Sequence, residues 1–203
     1  MPSDYDRIRA DNKREYGEGT RHLAYFADLY STRTHFIYEL LQNAEDALSR
    51  RPQDSPEGYV CFDLLEDRLE FRHNGAAFVD NDNRKDVSGI CGIGEGTKSG
   101  DYTQIGKFGI CFKSVYAYTF APRIHSNDEH FEIRRFVAPH GLQAKEAPAM
   151  QDGETCIVLP FDSVDAYPPW AFRDLLPAEQ AVREIGNALR NLGIRSLLFL
   201  RQI

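Results

Sequence analysis

Seven of the fifteen glycines in this 203-residue chain fall between residues 75 and 106: Gly75, Gly89, Gly92, Gly94, Gly96, Gly100 and Gly106. Glycine weakens helices and strands by roughly 0.5–1 kcal/mol relative to alanine, so no long regular element is expected across this stretch. It reads as a long loop holding one short helix. The core must therefore come from the segments on either side. Loops of this length inside a compact domain are uncommon and tend to be functional.

Upstream, residues 5–30 read as one or two helices, with Leu23, Tyr25, Phe26 and Leu29 at apolar positions. Ser31 or Thr32 is placed to cap a stronger helix reaching about Arg50. At 100° per residue, Phe36, Ile37, Leu40, Leu41, Ala44, Ala47 and Leu48 gather on one apolar arc of that helix. From Gly58 to Asn74 the alternation of Val60, Phe62 and Leu64, then Leu69 and Phe71, predicts a hairpin turning at Glu66-Asp67. Downstream, a helix is expected through Phe112, Val115 and Tyr116, with strands at 123–125, 130–137 and 154–160. Pro177 opens a last amphipathic helix carrying Val182, Ile185 and Leu189.

Apolar residues make up 42% of the chain and charged ones 27%, an ordinary globular composition for one domain with a real core. The net charge of −7 argues against a large nucleic-acid footprint. No apolar run is long enough to span a bilayer and no signal peptide follows Met1, so no membrane association is expected. Cys61, Cys91, Cys111 and Cys156 form no C-x-x-C pair and read as reduced thiols of a cytoplasmic protein. The apolar run Leu197-Leu198-Phe199-Leu200 leads us to expect further chain, or a partner, beyond the last helix.

Two segments carry chemistry. On the helix before Arg50, Glu39, Asn43 and Asp46 are spaced i, i+4 and i+7 along the edge of the apolar arc. An Asn oxygen suits Mg²⁺, and a carboxylate one turn earlier can orient or deprotonate a water. Polar residues at the rim of a buried face are also ordinary in amphipathic helices. The second segment joins Gly94-Glu95-Gly96-Thr97-Lys98-Ser99-Gly100 to Ile105-Gly106-Lys107-Phe108-Gly109-Ile110-Cys111-Phe112. Successive backbone N–H groups leading into a helix make an anion site, and Lys98 adds a charged donor. The P-loop spacing and the strand–turn–helix context of a dinucleotide fingerprint are both missing, and an idle surface loop is the alternative.

Together these pieces resemble the GHKL superfamily of Bergerat-fold ATPases, which includes gyrase B subunits, ninety-kilodalton heat-shock chaperones, sensor histidine kinases and MutL. Glu39-Leu40-Leu41-Gln42-Asn43-Ala44-Glu45-Asp46-Ala47 is similar to its acidic helix. His73-Asn74-Gly75-Ala76-Ala77-Phe78 stands where its D-x-G-x-G box is expected, Gly96-Thr97-Lys98-Ser99 resembles its lid, and residues 105–112 its last glycine box. Gly153-Glu154-Thr155-Cys156-Ile157 looks like its late strand. The match runs in order over roughly residues 30–160, and its details look most like the sacsin-type branch.

The resemblance implies an α/β two-layer sandwich, with a mixed, mostly antiparallel sheet and helices on one face. It implies one domain over 1–203, with an N-terminal helical segment at 1–30, an ATP lid at 79–105, and 177–203 leading toward a downstream region. Glu39 becomes the general base and Asn43 the Mg²⁺ ligand. His73, Asn74, Gly75, Gly94, Gly96, Thr97 and Ser99 would contact the nucleotide, Asp46 would support the base-binding edge, Thr155 the adenine, and Lys98 the phosphates. The backbone of Gly106, Lys107, Phe108, Gly109, Ile110, Cys111 and Phe112 would cradle them. Cofactors are then ATP and Mg²⁺, and the partners ATP or ADP, a nucleotide-dependent second copy, and a protein client or downstream domain.

Three positions depart from the superfamily. His73 replaces the aspartate that reads the adenine amine, Ala77 the second glycine of its box, and Cys111 the last glycine of the phosphate box. The first expectation is a slow ATPase coupling nucleotide state to conformation. The second is a non-catalytic nucleotide sensor or dimerisation module. A histidine kinase fits less well, because about thirty residues leave little room for a helix bearing an acceptor histidine.

Overall fold

The computed structural model describes residues 1–17, 32–93, 111–161 and 175–193. Six strands form one sheet: β1 (Val60–Leu64), β2 (Arg68–His73), β3 (Arg123–Ser126), β4 (Glu129–Arg134), β5 (Ala138–Gly141) and β6 (Thr155–Pro160). Their order is β1-β2-β6-β3-β4-β5, and every pairing is antiparallel. The last strand in sequence is thus inserted between two hairpin units. The expected α/β sandwich is present, with a sheet that is wholly antiparallel among the described residues.

Strand alternation sends Phe62, Leu69, Phe71, Ile157, Ile124, Phe131 and Ile133 to one face. These residues belong to a single apolar cluster with the helices α1 (Tyr5–Tyr16), α2 (Phe36–Ser49), α3 (Asp86–Cys91) and α4 (Ala178–Arg190). All seven residues of the arc expected on α2 are buried. The opposite face is ionic. Arg72 bonds Asp63 at 3.1 Å, Glu154 at 3.3 Å and Glu70, and Arg68 joins Glu70 at 2.6 Å.

The expected hairpin at 58–74 is β1–β2, and the short helix in the glycine-rich segment is α3. Three local expectations differ. The strand expected over 130–137 stops at Arg134, because Arg135 and Phe136 take φ of 49° and 70° and turn the chain into β5. Pro139 in β5 has no N–H to give, which suits an outermost strand. Residues Cys111–Ala117 wind as a 3₁₀ helix, not the α-helix expected there. They are packed on every side, from Phe112 through Phe120, so no exposed stripe favours an α period. Thr32 makes no side-chain cap, and a 3₁₀ turn at Arg33–His35 leads into α2 instead.

Asp4 caps α1 by accepting from the Arg7 N–H at 2.9 Å, and Lys13 and Arg14 suit its C-terminal dipole. Among the described residues no helix is long and apolar enough to cross a membrane.

Candidate functional site

The site begins where α2 crosses the end of β2. Gly75 follows β2 directly, and a Cβ there would lie 2.6 Å from the Ala47 Cβ and 2.9 Å from the Leu48 nitrogen. The glycine is required by this close approach, and the Ala76 N–H donates to the Ala47 carbonyl at 2.8 Å. This contact fixes α2, and the stripe it carries, over the end of the sheet.

Glu39 is 7% exposed although it lies in the first turn of α2. Its Oε1 is 2.9 Å from His35 Nε2, one turn earlier. Asn43 is half-buried, and among the described residues no group takes up its amide. Asp46 is half-buried too. Burial raises its pKa, opposed by Arg50 and reinforced by Glu45.

Beneath α2, the core face ends in a row of polar groups set by register. His73 lies opposite Thr155, and Thr155 opposite Ser126. Thr155 is 0% and His73 2% exposed. The Thr155 and Ser126 hydroxyls are 2.6 Å apart, and Ser126 Oγ accepts the Phe78 N–H at 3.0 Å. His73 Nδ1 accepts the Gly75 N–H at 3.1 Å, which leaves its proton on Nε2. Burial first, and the charge of Arg50 second, push its pKa down to about 4, so the ring is neutral at pH 7. Asp46 and His73 therefore share Arg50 as a neighbour. Arg50 lies 3.9 Å from Asp86, which also pairs with Arg84, and Arg84 donates to the Ala77 carbonyl at 2.9 Å.

Asn74 is engaged at both ends of its amide. It accepts from the Tyr59 N–H at 2.9 Å and donates to the Glu57 carbonyl at 2.8 Å, so it anchors the approach to β1. Phe112 is buried in the core and Cys111 opens the 3₁₀ helix. Gly94, Gly96, Thr97, Lys98, Ser99, Gly106, Lys107, Phe108, Gly109 and Ile110 lie outside the described residues. So do 94–105 of the segment expected as a lid, and 18–30 of the N-terminal segment.

The structure thus joins Glu39, Asn43 and Asp46 on one helix and sets His73, Gly75 and Thr155 at the strand ends below. Sequence reasoning missed His35, Arg50 and Ser126. The i, i+4 spacing of His35 and Glu39 was available as a signal, whereas Ser126 is placed only by strand register. Among the described residues no group of three or more His, Cys, Asp or Glu is placed to hold a metal. Mg²⁺ commonly takes one or two protein ligands and completes its shell with phosphate oxygens and water, so a single Asn43 amide suits it.

Residues 19–155 match the sequence model of the family described as Sacsin domain. The chain belongs to this family. It is 32% identical over 158 residues to Protein NO VEIN of Arabidopsis thaliana, a match covering 68% of this chain and 6% of that protein. It is 30% identical over 156 residues to human Sacsin, covering 72% of this chain and 3% of that protein. The chain thus spans a small fraction of the curated relatives it matches.

Proposed function

We propose that this Sacsin-family domain is a GHKL-type module that binds Mg-ATP between α2 and the ends of β2 and β6 and hydrolyses it slowly. The observation that carries the reading is the Gly75–Ala47 contact. It holds the C-terminal end of α2 against the end of β2, where Arg50 neighbours both Asp46 of the helix and His73 of the His73–Thr155–Ser126 row. A carboxylate, an amide and a row of hydrogen-bonding side chains then flank one end of the sheet.

In this reading Asn43 holds Mg²⁺, which would neutralise phosphate charge when bound. Glu39 orients and deprotonates the attacking water. His35 is a positioning residue, since its 2.9 Å contact fixes one carboxylate oxygen and leaves the other for water. Asp46 faces the base edge. His73 is a donor there, because its acceptor nitrogen is already used by Gly75. An Nε2–H pairs well with a ring nitrogen or a carbonyl and poorly with the amine of adenine, so adenine binding should be weak and GTP a real competitor. Thr155 and His73 are closed over by the chain, so a base reaches them only when the neighbouring segments part. Conformational coupling is the purpose we assign to the cycle, with a downstream domain, a protein client or a second copy as its recipient.

The test is calorimetric titration with ATP and Mg²⁺, followed by phosphate release from wild type and Glu39→Ala. Saturable one-to-one binding, with turnover lost and binding kept in Glu39→Ala, is the expected result. Equal turnover in the variant refutes the base assignment. No binding across several temperatures refutes the nucleotide reading for this domain.

A further inference from the structure

A second concave site lies between α1 and the β5 side of the sheet. Its cavity, of about 630 Å³, is lined by Asp6, Arg9 and Lys13 from α1 and by Arg134, Arg135 and His140 from the β4–β5 hairpin. That volume is typical of small-molecule sites. Among the described residues that line it, four cationic side chains stand with one carboxylate, in a chain whose net charge is −7. The carboxylate of Asp6 is itself bonded to Arg9 at 2.5 Å, and Arg134 bonds Glu132 at 2.6 Å.

The wall bearing Arg135 is held in an unusual shape. Arg135 and Phe136 are consecutive left-handed residues without being glycine, a conformation that persists only when its surroundings impose it. The surroundings here are specific. Lys113, buried in the core, donates to the Phe136 carbonyl at 2.5 Å and the Ile90 carbonyl at 2.6 Å. Asn12 donates to the Val137 carbonyl at 2.7 Å and reaches the Cys91 carbonyl at 3.4 Å. Two buried side chains thus clamp the turn to α3, and the clamp presents Arg135 beside Arg134 on the cavity wall. Arg9 is fixed from the other side by its 2.9 Å bond to the Pro139 carbonyl.

We propose that this cavity binds a small organic polyphosphate, or another phosphorylated molecule carrying at least two negative charges. Three guanidinium groups and one ammonium suit phosphate oxygens, because planar N–H forks pair with them bidentately. The dimensions favour a small molecule over a nucleic acid or an acidic peptide. Burial, with Arg134 and Arg9 nearby, lowers the His140 pKa, so its neutral ring adds a hydrogen-bonding edge without charge. The site is separate from the α2–β2 site and does not depend on the nucleotide reading.

Inorganic tripolyphosphate is the probe, titrated calorimetrically into the chain without Mg²⁺. Saturable binding is expected, weakened about tenfold or more in Lys13→Glu/Arg134→Glu, as loss of charge-assisted contacts predicts. Arg134→Glu also takes a cation from Glu132, which is 6% exposed, so a lower unfolding temperature is expected beside that loss, and binding is read where wild type and variant are both folded. Arg135→Gly is the second variant, since glycine suits the left-handed backbone while the cation is removed; it too should weaken binding. Absence of binding, or binding unchanged in both charge variants, overturns the proposal.

Discussion

Gly75→Ala is the most informative single change in this molecule. The new methyl would lie 2.6 Å from the Ala47 Cβ, 2.8 Å from the Ala47 carbonyl carbon and 2.9 Å from the Leu48 nitrogen. Two of the three atoms are helix backbone, so no side-chain rotation relieves the clash and α2 has to move off β2. Overpacking of this kind costs about 1–3 kcal/mol. The same movement stretches the 2.8 Å bond from Ala76 to Ala47, worth about 1 kcal/mol. The sum, roughly 2–4 kcal/mol, is a large share of the 5–15 kcal/mol that holds a domain together. For a chain of this size it corresponds to a fall in Tm of roughly 4–16 °C. Thermal unfolding followed by circular dichroism reads it directly. Gly153→Ala is the control, because Gly153 has a φ of 78° and nothing within 4 Å, so any loss there is local backbone strain. A Gly75→Ala protein melting within a degree of wild type would refute the close-approach argument.

Three other outcomes are expected. His73→Asp should tighten ATP binding in calorimetry, because a carboxylate accepts from the adenine amine where the Nε2–H cannot; unchanged affinity removes His73 from the base site. Stability should fall as pH drops from about 6.5 to about 4, since the unfolded His73 takes up a proton near 6.5 while the folded one resists it until about 4. That shift is worth roughly 2–3 kcal/mol, read from urea titrations at the two ends, and His73→Asn should flatten the slope. Arg72→Met leaves Glu70 and Glu154, 4% and 5% exposed, without their shared cation. Removing one partner of a buried pair costs about 3–5 kcal/mol, and a loss under about 1 kcal/mol in urea denaturation counts against the role given to Arg72.

Much of the frame was legible because its periodicity was strong. The seven-residue arc of α2, the β1–β2 alternation and the β6 run each imposed one period on one buried face. The α2 stripe was legible for the same reason, since i, i+4 and i+7 fix a direction before any fold is known. What escaped was set by tertiary contact. β5 holds only Ala138–Gly141, with a proline and a glycine among four residues, and pairs because Arg135 and Phe136 are forced into a turn by Lys113 and Asn12. The 3₁₀ winding at Cys111–Ala117 is not legible from residue spacing, because burial on all sides erases the polar stripe that marks a helix. Ser126 beside Thr155, and Arg50 between Asp46 and His73, depend on strand register and helix crossing, which residue spacing does not encode. Asn74 illustrates the converse. Its place in a motif suggested a ligand, and its amide is occupied at both ends by the approach to β1.

The strand order has a consequence for how the chain is made and cut. β6 is the keystone of the sheet, since β2 and β3 meet only through it. Until residues 155–160 leave the ribosome, the β1–β2 hairpin and the β3–β4–β5 unit each hold an open edge with Leu69, Phe71 and Ile124 uncovered. Such edges template association with other chains. The family match stops at residue 155, the first residue of this keystone, and starts after α1. A fragment trimmed to those limits would keep every motif of the α2–β2 site and lose the strand that makes the two halves of the sheet one body.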